Sequence, residues 1–334
     1  MRILPFALLC QLLMPAFVFA SDMEITPFRT VNQSPLVMIH PLPADSSSLV
    51  TPKGKLSTAL TFDLANNYAK SSSTGESLIL DGESTRTTLH LRYGLTDAVE
   101  IGAELPWITQ DGGFFDSFII GWHDTFGMPQ GGRNTAPKNR ISYSYTKNGV
   151  QKLVMNSSGS GVGDVVLNGG LRLYEEKTAA LHDSISLRTT VKLPSGDSNY
   201  LRGSGAAGGT ISLNGASNHF TEYGTLGLFG SVGGLYSAKG DVLRDQQEPL
   251  AAFGTVGLGW GVTPWISFKV QLNANSRLYK DSSLAEVSKP AFMLVFGGAL
   301  KFPGDYTLDI GVTEDISVGT APDVALHLGL SKNF

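Results

Sequence analysis

From Lys55 to the terminal Phe334 the chain keeps returning to one pattern, apolar residues alternating with small or polar ones at a period of two. The last run is the clearest: Val324, Leu326, Leu328, Leu330 and Phe334 share one face, while Asp323, Ala325, His327, Gly329, Ser331 and Asn333 take the other. In a strand, successive side chains point to opposite sides, so this run needs two different environments at once. A soluble sandwich supplies core and water. A closed barrel in a bilayer supplies lipid outside and a polar lumen inside, and closure removes the exposed sheet edge. Composition separates the two. Charged residues make up only 16% of the chain, against about 25% in ordinary soluble domains, which favours the membrane.

The same alternation marks a first strand from Lys55 to Tyr68 and a second from Ser84 to Tyr93, with Lys70 to Glu83 between them as an exposed Ser/Thr/Gly-rich loop. The second strand sends Leu89, Leu91 and Tyr93 outward and Arg86, His90 and Arg92 inward. After the Gly94–Asp97 turn, Val99, Ile101, Ala103, Leu105 and Trp107 face outward and Glu100 and Glu104 inward. Pairing about Thr96 sets Leu91 against Ile101 and Arg92 against Glu100, so both faces stay consistent. Regular strands resume at Asp164 and run to the end of the chain, giving about twelve strands. A further hairpin about Asn148-Gly149, a favoured hairpin turn, would make fourteen. Short connections (around Thr96, Thr263 and Gly304) fall on one side and long ones on the other, as in outer-membrane barrels. Aromatics sort the same way: Tyr93, Tyr174, Trp260, Trp265, Phe302, Tyr306 and Phe334 at the short-turn end, and Tyr68, Trp107, Tyr236 and Tyr279 at the long-loop end, the two belts expected of interfacial anchoring.

Residues 1–20 have a basic start, an apolar run and a small-residue Val18-Phe19-Ala20 end, the pattern of a cleaved signal peptide. Cys10 is the only cysteine, so the mature chain would have no disulfide, thiolate metal site or cysteine nucleophile. Without Arg2 it carries 24 basic against 29 acidic residues, which argues against nucleic acid as a partner. Residues 21–54 are proline-dotted and without period, and read as an extended periplasmic segment. Two readings stand: an unstructured periplasmic tail, or a segment partly tucked into the barrel mouth, since its Leu36-Val-Met-Ile39 is too apolar to dangle comfortably in water.

A twelve-stranded barrel is wider than one its own side chains fill. The inward face is expected to hold Arg86, Arg92, Arg172, Arg188, Lys192, Lys269 and Arg277 with Glu100 and Glu104. That set is either a constriction for anionic or polar solutes or a structural ladder of cross-strand pairs. The long extracellular loop, 108–161, contains Phe114–Phe126, whose apolar spacing fits a short helix. Phe118, Trp122, His123, Asp124 and Arg133 are its candidates for contact with a ligand or partner, through a greasy capture surface or by burial on the rim. His182-Asp183-Ser184 holds residue types used in hydrolysis, but adjacent residues cannot form a triad with one another, and no ligand cluster points to a metal or other cofactor.

The chain's end resembles the assembly signal of Gram-negative outer-membrane proteins, a terminal aromatic (Phe334) after alternating apolar residues, with Lys332 departing from the apolar preference. Tyr93–Trp107, Trp122–Arg133 and Lys192–Asp197 together resemble an uncharacterised proteobacterial domain-of-unknown-function family of predicted outer-membrane β-barrels. That resemblance implies location and fold, and no catalytic residue. The expectation is an all-β, closed antiparallel transmembrane β-barrel over 55–334, in the outer membrane, in contact with lipid and with the assembly machinery. It would act as a pore or transporter for a small solute rather than an enzyme. A non-conducting surface protein and a lipid hydrolase are the alternatives.

Overall fold

The computed structural model describes residues 23–334, apart from 45–46, 128–133, 135 and 317–318; the expected signal peptide lies outside the described residues. The strands are β1 (Leu56–Ser73), β2 (Glu76–Gly94), β3 (Val99–Asp111), the short β4 (Ser142–Lys147), β5 (Val150–Met155) and β6 (Gly159–Val162), then β7 (Val166–Lys177), β8 (Leu181–Lys192), β9 (Gly208–Thr221), β10 (Gly224–Ser237), β11 (Leu250–Thr263), β12 (Ile266–Asn275), β13 (Ala291–Phe302), β14 (Tyr306–Asp315) and β15 (Val324–Asn333). The twelve long ones close into an antiparallel barrel. β3 passes to β7 through Ile101↔Gly169, and β15 seals against β1 through Leu60↔Leu330 and Leu64↔Leu326. The terminal Phe334 donates its N–H to the Leu56 carbonyl at 2.8 Å, finishing that seam. Lys332, the departure from the apolar pattern, sits 4.5 Å over the rings of Tyr306 and Phe334, so its stem stays on aromatic surface while its charge stays at the rim.

Two expectations change, and the fourteen-strand alternative closes. Lys70 to Glu83 is paired strand rather than loop, since β1 and β2 match from Ser73↔Glu76 down to Leu56↔Tyr93. Above the bilayer a ladder needs backbone pairing and no lipid-facing alternation, so the period-two signal fades while the strand continues. The Asn148-Gly149 hairpin does not enter the wall: β4 pairs with β5 and, among the wall strands, only with the upper end of β2, as in Leu80↔Tyr143, while β6 pairs only with the upper end of β3, as in Trp107↔Val162, which leaves twelve wall strands. Finally, the β2–β3 register is Gly94↔Glu100 and Arg92↔Gly102, two residues from the expected pairing. A two-residue shift preserves facing, and it makes Arg92 and Glu100 diagonal neighbours, 3.9 Å apart.

The outward face carries half-exposed apolar residues on every side, among them Leu60, Ile101, Leu213, Leu258, Phe268 and Leu330. The short-turn aromatics from Tyr93 to Phe334 are exposed, as are Trp107 and Tyr236 at the other end. Tyr279 is an exception. It is buried in an apolar cluster at the long-loop end that also holds Leu78, Leu80, Tyr143, Tyr145, Leu284 and Val287. Helix α1 (Asp116–Phe126) forms within the long loop.

Candidate functional site

The lumen is occupied by the chain itself. Residues 23–54 enter at the short-turn end, climb the full height of the barrel, turn at Ser34–His40 and descend to join β1. On the way up the segment runs beside β12 at a constant sequence offset of 243. Lys269 Nζ donates to the Thr26 carbonyl at 3.1 Å, the Phe28 N–H donates to Gln271 Oε1 at 2.8 Å, Asn273 Nδ2 donates to Thr30 Oγ1 at 3.1 Å, and the Tyr279 hydroxyl donates to the Leu36 carbonyl at 2.9 Å. The backbone of every wall strand is already committed to its two neighbours. Inward side chains therefore satisfy the buried polar groups of the inserted segment.

Glycines in the wall make room for it. A Cβ on Gly227 would lie 2.3 Å from Ile25 Cβ, one on Gly259 2.7 Å from Ile25 Cγ2, and one on Gly208 2.8 Å from Pro41. Ile25 and Phe28 are thereby 1% and 0% exposed. The turn Leu36–Ile39 is the centre of the apolar cluster at the long-loop end, which is the burial that its composition demanded. His40 packs edge-on against Tyr279, centroids 5.0 Å apart.

Of the expected lumen residues, most grip this segment or each other. Arg188 donates to the carbonyls of Ser47 at 2.9 Å and Leu49 at 2.8 Å, and its third contact is Glu100. The other oxygen of Glu100 accepts from the Thr51 N–H at 2.6 Å, so one ion pair clasps the descending limb between β8 and β3. Glu104 faces His90 at 3.5 Å, Lys192 binds Asp164 and Ser204, and Lys269 binds Asp309 and lies over the Phe28 ring. Arg86 donates to Thr88 and, like Arg29 on the segment, has no ion pair among the described residues. One candidate is not in the lumen. Arg277 falls beyond the end of β12, is exposed, and pairs with Glu248 in the neighbouring long loop, so there the alternation was carried past the point where the ladder is regular. Arg172 keeps the inward row, opposite the buried Ser186, but at the short-turn rim just before a bulge in the β7–β8 register, and it pairs with Glu175. Ser184 shares a 2.6 Å hydrogen bond with Ser48, and His182 is held by Glu24 and Glu175, so neither approaches the other as nucleophile and base.

Of the loop candidates, Phe118 is half-exposed and Asp124 exposed on α1. The side chains of Trp122 and His123, and all of Arg133, lie outside the described residues. Reading the sequence missed Arg29, Ile25 and Phe28 as lumen residues; the inward-facing glycines opposite them were the available signal.

Between segment and wall the voids are small, about 20 Å³ beside Pro43 and Arg86, 20 Å³ beside Arg92 and Arg188, and 10 Å³ beside Pro27 and Ser48, room for about one water each. A vestibule of about 620 Å³ opens at the short-turn end, lined by Arg29, Lys55, Arg92, Lys269 and Asp309 among others. No group of three metal-ligating side chains occurs among the described residues.

In structure the chain is similar to the COG4313 outer-membrane channel of Pseudomonas putida F1, at 15% identity and a TM-score of 0.54, over 86% of this chain and 98% of that one. It also matches the NanC porin (11% identity, TM-score 0.40, 83% and 97% covered) and the toluene transporter TodX of Pseudomonas putida (10%, 0.33, 94% and 96%). No curated protein matches the sequence significantly. A family model, described as protein of unknown function (DUF3187), matches residues 6–334. The chain belongs to that family, and its fold is that of an outer-membrane β-barrel.

Proposed function

We propose that the protein is a pore of the Gram-negative outer membrane for small polar solutes, held shut at rest by its own residues 23–54. The observation that carries this reading is how the lumen is filled. Twelve strands enclose more space than their inward side chains occupy, and the remainder is taken by a segment tethered at Lys55 rather than by the wall. Displacing the segment leaves a lumen lined by Arg86, Arg92, Arg188, Lys192 and Lys269 against Asp63, Glu100, Glu104, Asp164 and Asp309. Such a polar lining of mixed charge passes hydrated solutes.

Ser48 and Ser184 supply the test. Their oxygens are 2.6 Å apart, close to a disulfide's ~2.05 Å S–S length, and the only native cysteine is Cys10. In a chain begun at Ser21, Ser48→Cys with Ser184→Cys is expected to give no single-channel steps in planar bilayers when oxidised. Steps should return on reduction. Equal conductance in the two redox states would refute gating by this segment; silence of the reduced form, and of a chain lacking residues 23–52, would refute the pore. The second reading, a non-conducting surface protein, is favoured by the depth at which Leu36–Ile39 is clamped, and the same silence would support it.

A further inference from the structure

The long loop does something other than cover the mouth. After Asp111 the chain turns to the outside of the barrel, where Asn66 of β1 and Glu83 of β2 lie on the same outward face as Phe62 and Thr85. Phe115 donates its backbone N–H to Glu83. Asp116 accepts from Asn66 Nδ2 at 2.9 Å and from the Asn139 N–H at 2.8 Å. The Phe115 ring then covers Leu64 and Val324, with Val312 and Leu326 beside them, which are outward residues of β1, β15 and β14. Leu64 is consequently 7% exposed, where Leu60 and Phe62, lower in the same row, are 50% and 40% exposed. Phe118 stacks on Phe115 at 4.6 Å, and Phe114 meets it edge-on at 6.1 Å. Phe114 and Phe118 remain 72% and 50% exposed.

The height of this cluster is set by register. Phe62, Thr87, Trp107 and Val162 form one row across the wall, still apolar on β3 and β6. In the next row up, Leu64, Thr85, Thr109 and Ser160, the last two hydrogen-bond through their hydroxyls at 2.9 Å. The lipid-facing surface thus ends at the level of the three phenylalanines, and the cluster continues it without a break. At such a boundary aromatic rings sit among lipid headgroups and upper acyl chains.

We infer that Phe114, Phe115 and Phe118, at and before the start of α1, form a lipid-docking surface on the outer wall, inserted into the boundary of the outer leaflet over the β1–β15 seam. The Asp116 carboxylate faces the protein, where Asn66 and Asn139 take it up, and the exposed Ser117 hydroxyl accepts from Lys138 at 3.2 Å, a cation suited to the headgroup level, which leaves the rings of Phe114 and Phe118 for the bilayer. The docking requires a membrane-embedded barrel and is independent of whether the lumen conducts.

Single-cysteine probes test it in the chain begun at Ser21, purified and reconstituted in phosphatidylcholine vesicles. Phe118→Cys carrying an environment-sensitive fluorophore is compared with Leu328→Cys, mid-wall on β15, and Val150→Cys, at the start of the second strand of the loop hairpin and 55% exposed. The Phe118 probe is expected to be quenched by lipid bearing a shallow nitroxide several-fold more than the Val150 probe, and to be shielded from aqueous iodide. Phe114→Cys repeats the measurement if the first variant does not assemble. Iodide quenching equal to that at Val150 would overturn the inference. So would lipid quenching that vanishes as protein density in the vesicle rises, since the cluster would then be covered by a second copy of the chain.

Discussion

Single residues decide whether the lumen can accept its occupant. Gly227 is the sharpest case, because a methyl there would fall 2.3 Å from Ile25 Cβ and the wall strand cannot retreat without breaking two ladders. Gly227→Ala is expected to cost the seating of the segment about 1–3 kcal/mol, the usual range for overpacking. Limited proteolysis should then cleave residues 23–30 faster, whereas Gly121→Ala, with open space around it, should leave the rate unchanged; equal rates in the two variants would contradict the cradle. His40 makes the seating pH-dependent. Burial, with the Lys192 ammonium adding to it, pushes its pKa from 6.5 down to about 3, and neither ring nitrogen has a hydrogen-bond partner. Between those values the unseated imidazole binds a proton that the seated one does not, so stability is full above pH about 6.5 and is lost as pH falls. Protection of the amides of residues 34–40, taken as the exchange rate relative to the intrinsic rate at each pH, should therefore fall on acidification from pH 7 to 5. In His40→Phe that fall should disappear.

At the scale of elements, strands were the legible part. Outward rows such as Val324, Leu326, Leu328 and Leu330 must meet lipid, and that requirement writes a period of two into the chain. Where the requirement lapses, the signal lapses too. The upper halves of β1 and β2 are paired above the bilayer and looked like loop, and Arg277 was assigned to a lumen its strand had already left. The inserted segment was legible only at its apex, through Leu36–Ile39. Its two limbs carry no period because they join no ladder; side chains such as Gln271, Asn273 and Arg188 hold them instead. The candidate site follows the same division. Arg92, Glu100, Glu104, Arg188, Lys192 and Lys269 were placed on the inner face by alternation, and the Arg92–Glu100 neighbours follow from their hairpin, but the contacts of Arg188, Glu100 and Lys269 with residues 26–51 join segments far apart in sequence.

For the molecule as a whole, wall and occupant are separable in energetic terms. The seam between β1 and β15 is closed by consecutive pairs from Ser57↔Asn333 to Asn66↔Val324, none of which uses residues 23–54. A chain lacking residues 23–52 is therefore expected to keep the heat-dependent shift in gel migration of a closed barrel, unheated samples running ahead of boiled ones. Loss of the shift would make the segment part of the folding core rather than a gate. By itself, the sequence determined the barrel: alternation, low charge, strand parity and turn lengths all follow from putting an antiparallel sheet between lipid and a polar interior, and each is local in the chain. Only the tertiary structure decided what fills the lumen and where the long loop lies. Both depend on contacts such as Phe28 with Gln271 and Phe115 with Val324, which join residues more than 200 positions apart and leave no periodic trace in the sequence.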